Sequence, residues 1–193
     1  MSADLEAPLE VFRYFLREAE AVYVSAPITS GWHFLDWYKN VGARLLGSAE
    51  YEKTHAESVV ILNRASVADT ISAIKQRLPS CVVIDPTAFD FPSWSQFEYR
   101  RFWGLVIERF VKRAIFLDGW EASVGCVYEF NVASCAGVPV FDQREAQIGI
   151  DEAVPLIEKS IRAMKGLGLD TEVLESAVKD LMILKASSAA GKR

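Results

Sequence analysis

Short β-branched apolar runs alternate with helically spaced stretches along most of this chain, and no other feature restricts the fold as strongly. The runs are AVYVSAP (21–27), SVVIL (58–62), CVVID (81–85), AIFLD (114–118) and VPVF (138–141). Each is continuous rather than alternating, the pattern of a strand covered on both faces. Helical spacing predicts helices over 31–47, 66–78, 94–112 and 123–136, with a leading helix near 7–20 and closing helices near 151–165 and 171–186. Strands alternating with helices specify βαβ units. The expected architecture is a five-stranded, mainly parallel, doubly wound α/β sheet with helices on both faces and extra C-terminal helices.

With 193 residues, 51% of them hydrophobic, the chain suits one domain with a substantial core. Residues 1–186 are expected to form it, and 187–193, at the end of KASSAAGKR, a flexible tail. A net charge of −5 argues against a nucleic-acid partner, whose phosphates need a basic face. The cluster Arg100, Arg101, Arg109, Lys112 and Arg113 reads as a solvated helix face. No apolar run reaches the roughly 20 residues needed to span a membrane. The start MSADLEAPLE lacks the features of a signal peptide, so a cytoplasmic location is expected. Cys81, Cys126 and Cys135 lack metal-site spacing and read as small core residues.

Parallel sheets bind ligands beyond the carboxyl ends of their strands. The residues after the first run are Ser25, Ala26, Pro27, Ile28, Thr29, Ser30 and Gly31; Asp85 follows the third, and Asp118 to Ser123 follow the fourth. Ser123 is positioned to cap the next helix, leaving first-turn amides directed at an anion. Glu129 lies four residues after Gly125 and therefore on the same helical face, and its side chain leans toward the first turn. Gly125 leaves the approach to that carboxylate open. A phosphate on the amides and a sugar above Glu129 would suit this arrangement. Spacing alone also allows Glu129 to be an ordinary exposed helix residue and Gly125 a packing glycine.

The stretch DGWEASVGCVYEFNVASCAGVPVF (118–141) resembles the nucleoside 2-deoxyribosyltransferase superfamily, and more closely its branch of 2′-deoxynucleoside 5′-monophosphate N-glycosidases. Ser123, Gly125, Tyr128 and Glu129 follow that family's order, and Ala133, Gly137 and Pro139 continue it into the next strand. Monophosphate-acting members carry Ser where others carry Asp, since a hydroxyl can donate to a phosphate that a carboxylate would repel. A second, weaker match is VYVSAPITSGWHF (22–34), with Tyr23 in the position of the family's active-site tyrosine. The other reading of Tyr23 is a core aromatic on a buried strand.

The resemblance implies a flavodoxin- or Rossmann-like domain in which Glu129 attacks the anomeric carbon of a nucleotide. It further implies Tyr23 beside Glu129, a substrate site built from Ser25, Pro27, Ser30, Gly31, Asp85, Ser123 and Gly125, no metal or organic cofactor, and a homodimer or higher homo-oligomer. The family's Asp on the preceding helix is missing from residues 96–114. Asp118, or else Asp85, is expected to replace it as the acid, with Glu98 and Glu108 as further candidates.

The aromatic segment 85–103 reads as packing against the core or a dimer face, with a base-stacking lid as the alternative. Trp32, Trp37 and Tyr38 read as packing residues and His33 as a surface histidine. Neither His33 nor His55 has the partners of a zinc site or catalytic triad. Two other readings of the same crevice are a nucleotide-sensing module without turnover and a TIR-like NAD hydrolase.

Overall fold

A computed structural model of the chain describes residues 5–17, 19–89 and 94–190. Four parallel strands form the sheet: β1 (Ala21–Ser25), β2 (Val82–Ile84), β3 (Val111–Phe116) and β4 (Val140–Asp142), in the spatial order β2-β1-β3-β4. Because all four run the same way, their carboxyl ends lie along one edge of the sheet. Chain order reverses direction across β1, since β2 pairs on one side of it and β3 on the other.

Helices cover both faces, as the continuous apolar runs predict. Side chains alternate along each strand, so Tyr23, Ile84, Ala114, Phe116 and Val140 face one way, while Val22, Val24, Ile115 and Leu117 face the other. The first face packs on α1 (Glu6–Phe15), α6 (Gln96–Phe110) and α7 (Val124–Cys135), with α8 (Ile150–Gly166) and α9 (Glu172–Ala190) completing that core. The second face packs on Val67, Ile71 and Ile74 of α5 (Ile61–Arg77).

The run at 58–62 is helical, which corrects the expected fifth strand. It sits in a continuous helical stretch made of α4 (Glu50–His55), a π-helical segment Ala56–Val60 and α5. Residues 48–78 contain no glycine or proline to interrupt a helix. Val59, Asn63, Val67, Ile71 and Ile74 are buried at helical spacing, while Ile61 and Leu62 are exposed. That period outweighs the strand propensity of four β-branched and apolar neighbours.

The segment predicted as one helix over 31–47 is α2 (Trp32–Trp37), a π-helical segment Tyr38–Gly42 and α3 (Ala43–Leu45). The Trp37 ring lies against Gly42, where an added Cβ would stand 2.5 Å from ring carbon Cζ3. Strand β3 starts at Val111, directly after α6, rather than at residue 114. Helix α9 extends to Ala190, so the expected tail from residue 187 is helical that far. Among the described residues no helix is long and apolar enough to cross a membrane.

Candidate active site

Ser25 ends β1, and its side chain, fully buried, turns toward α7, where its Oγ donates to Glu129 Oε2 over 2.6 Å. Tyr23 lies two residues earlier on the same face of the strand, also fully buried, and its hydroxyl has no hydrogen-bonded partner among the described residues. It stands close enough to favour the ionised form of Glu129 without reaching hydrogen-bonding geometry. Glu129 itself is 9% exposed and forms part of the floor of a cavity of about 510 Å³. The position is thus buried while lining the cavity, so Glu129 is not the ordinary exposed helix residue that spacing alone allowed.

Burial pushes the Glu129 carboxyl up to about 7, while the Ser25 and Tyr23 hydroxyls pull in the opposite direction. Near neutral pH the group therefore interconverts between acid and carboxylate. Burial and then the Glu129 charge raise Tyr23 well above its ordinary value. The same two causes push the Cys126 thiol up to about 12, which keeps it protonated and unreactive.

The cavity is lined by the loop after β1, the segment that follows β2, and helices α5, α6 and α7. Gly125, one helical turn before Glu129, lines it, and an added Cβ there would meet nothing within 4 Å. Phe89, Trp94, Tyr99 and Trp103 supply an aromatic side. Phe89 and Trp103 also pack on Phe12, so the segment joins core packing with cavity lining. Phe91 lies outside the described residues. Arg64 from α5 and Arg100 from α6 bring two cations to the rim, and neither forms an ion pair among the described residues.

Sequence reasoning missed Arg64 because it follows the run misassigned as a strand. Its signal was the helical period through Val59, Asn63 and Val67, which puts residue 64 on a helix rather than after a strand. Arg100 was assigned to a solvated face, but it is only partly exposed and lines the cavity.

Ser123 caps α7 as predicted, accepting from the Cys126 amide over 3.5 Å. It is buried and also accepts from Ser30 Oγ at 2.9 Å, so the hydroxyl belongs to the framework of the site. The loop that carries Ser30 is held on both sides. Toward α7, the Gly31 amide donates to Ala122 O at 3.2 Å and Trp32 Nε1 to Glu121 Oε1 at 2.7 Å. Toward α5, Asn63 Nδ2 donates to Ile28 O at 2.9 Å and to Ser30 O at 3.3 Å. Asn63 is another residue the sequence did not single out.

No protein-family model, curated protein or solved structure matches this chain.

The structure brings Tyr23, Ser25, Gly125 and Glu129 together, with Ser123 at the helix start beside them. Pro27, Ser30, Gly31 and Asp118 face a different cavity on the α5 side of the loop. Asp118 Oδ2 there accepts from Gln143 Nε2 at 2.7 Å. Asp85 turns its carboxylate onto Thr87, accepting from the Thr87 amide at 2.9 Å and its hydroxyl at 2.7 Å. Neither aspartate lines the Glu129 cavity. Among the described residues, no group of three or more His, Cys, Asp or Glu side chains is arranged to hold a metal ion. The arrangement can hold a small ligand with an apolar ring and an anionic end against one buried, titratable carboxyl group.

Proposed function

We propose that the Glu129 cavity cleaves or transfers the N-glycosidic bond of a nucleoside 5′-monophosphate, with Glu129 as the nucleophile. The observation that carries this reading is a buried carboxylate, fixed by Ser25 over 2.6 Å, at the floor of an aromatic-walled cavity. The resemblance of residues 118–141 to the deoxyribosyltransferase superfamily supports it independently.

In the first step, a Glu129 carboxylate oxygen forms a bond to the anomeric carbon as the bond from that carbon to the base nitrogen breaks. The base leaves with the electron pair and takes a proton from solvent water. Water then attacks the glycosyl ester in a hydrolase, or a second base does so in a transferase, and Glu129 is released. Arg64 and Arg100 are suited to pair with the substrate phosphate, and the aromatic side to stack on the base. The Ser25 and Tyr23 hydroxyls stabilise the attacking carboxylate and the same group when it departs. A doubly wound sheet, a cytoplasmic location and a homo-oligomer are part of the same proposal. Val11, Tyr14 and Phe15, exposed on α1, support an intersubunit surface.

A second reading is a nucleotide sensor that binds without turnover. It is favoured by one specific observation, that neither Asp118 nor Asp85 faces the cavity to protonate a departing base.

The deciding experiment incubates the protein with a panel of ribo- and deoxyribonucleoside monophosphates, their nucleosides, and NAD, and measures released base by chromatography. Release from monophosphates, falling at least 100-fold in Glu129→Gln, supports the proposal. Arg64→Gln and Arg100→Gln are expected to raise KM for monophosphates about tenfold while leaving nucleosides unaffected. Tight binding without release supports the sensor, and nicotinamide release alone supports an NAD hydrolase.

A further inference from the structure

A second cavity, of about 330 Å³, opens on the other side of the loop that follows β1. It lies between the carboxyl ends of β1 and β3, the pair of strands flanking the reversal in strand order, where parallel sheets bind ligands. Pro27, Val67, Leu117 and Trp32 form its apolar part.

The polar side chains around it have mostly spent their donors. Ser30 Oγ donates to Ser123 Oγ at 2.9 Å, and Thr70 Oγ1 donates to Ser66 O at 3.0 Å. Asn63 Nδ2 is occupied by two loop carbonyls, so Asn63 Oδ1 faces His33 Nδ1 at 2.8 Å as the acceptor. The proton of a neutral His33 ring then sits on Nδ1, which leaves Nε2 as an acceptor. Asp118 Oδ2 accepts from Gln143, and Oδ1 remains. The side-chain donors left to this cavity are the Ser66 hydroxyl and the second amide hydrogen of Gln143, and its lining holds no Lys or Arg.

We propose that this cavity binds a small uncharged amino-heterocycle of nucleobase size through its N–H donors. Acceptors at Asp118, His33, Ser30 and Thr70 match an exocyclic amine and ring N–H groups, while the apolar walls accept the flat ring. An anion is disfavoured, because it would meet the Asp118 carboxylate with no Lys or Arg in the lining. The Glu129 cavity has the opposite character, with Arg64 and Arg100 at its rim. The loop is the wall between the two, so a ligand in one cavity touches residues that frame the other.

Titration calorimetry of the full chain with adenine, cytosine and uracil tests the proposal, and binding is read without any turnover at Glu129. Adenine and cytosine are expected to bind saturably at one site. Uracil, which presents a carbonyl where cytosine presents an amine, is expected to bind at least tenfold more weakly. Thr70→Trp fills the cavity and should abolish binding, and Ser66→Phe should do the same from a neighbouring position on α5. Gly125→Leu, which obstructs only the Glu129 cavity, should leave it unchanged. Absence of saturable binding, uracil binding as tight as cytosine, persistence in both filled variants, or loss in Gly125→Leu would each overturn the assignment.

Discussion

Ser25 and Glu129 lie 104 positions apart in sequence, yet the Ser25 hydroxyl donates to the buried Glu129 carboxyl group over 2.6 Å. This one contact ties the end of β1 to the middle of α7 and opposes the effect of burial on the carboxyl group. Burial holds Glu129 at about 7, against an ordinary value of 4.5. Attack on a sugar requires the ionised form, so kcat/KM is expected to rise with pH through an apparent pKa of about 7. Ser25→Ala removes a group that favours the carboxylate and should shift this limb to higher pH. A pH–rate profile for the two proteins measures the shift, and an unmoved limb would dissociate Ser25 from the titration.

The same elevation makes stability depend on pH. Between 4.5 and about 7 the folded protein binds more protons at Glu129 than the unfolded chain, so stability falls as pH rises through this window. Complete ionisation costs the native state on the order of 3 kcal/mol. Glu129→Gln keeps the volume and cannot ionise, so its urea-derived stability relative to the parent should improve by up to that amount between pH 4 and pH 9.

Tyr23→Phe should separate two roles of one hydroxyl. At pH 5, where Glu129 is protonated, the variant deletes a buried hydroxyl without a partner and should be neutral or stabilising by about 1 kcal/mol. Above pH 8 it also deletes a group that favours the carboxylate, and the advantage should shrink or reverse. Melting temperatures at the two pH values give the sign.

At Gly125, stability and binding should part. A Cβ there meets nothing within 4 Å, and alanine restricts the unfolded chain more than glycine does. Gly125→Ala is expected to gain roughly 0.5–1 kcal/mol of stability. Gly125→Leu should fold equally well while weakening nucleoside monophosphate binding at least tenfold, because its side chain enters the cavity above Glu129. Thermal melts and calorimetry on the same samples test both halves.

Asn63 is 6% exposed and holds the loop through two carbonyls. Asn63→Leu keeps the bulk but leaves Ile28 O and Ser30 O without that donor, at a cost of about 2–4 kcal/mol. Hydrogen exchange at the Gly31 amide, which bonds to Ala122 O over 3.2 Å, should accelerate in the variant. Unchanged exchange there would mean that the loop is secured by its α7 side alone.

Local pattern determined the parallel α/β class, both closing helices and the cap at Ser123. Each of these depends on neighbours a few residues apart, where spacing and side-chain chemistry act directly. The helical face shared by Gly125 and Glu129 was legible for the same reason. The run at 58–62 was misread because a five-residue window favours a strand, while the burial that decides its state extends from Val59 to Ile74. Tertiary structure alone decided which strand-end residues share a cavity. Pro27, Ser30, Gly31 and Asp118 fall on one side of the loop, whereas Ser25 and Tyr23 meet Glu129 on the other. Successive side chains at a strand end and in its loop point to opposite faces of the sheet, and which face closes over a cavity depends on helices from distant parts of the chain. The same holds for the raised pKa of Glu129, since desolvation depends on the packing of the whole domain around one carboxyl group.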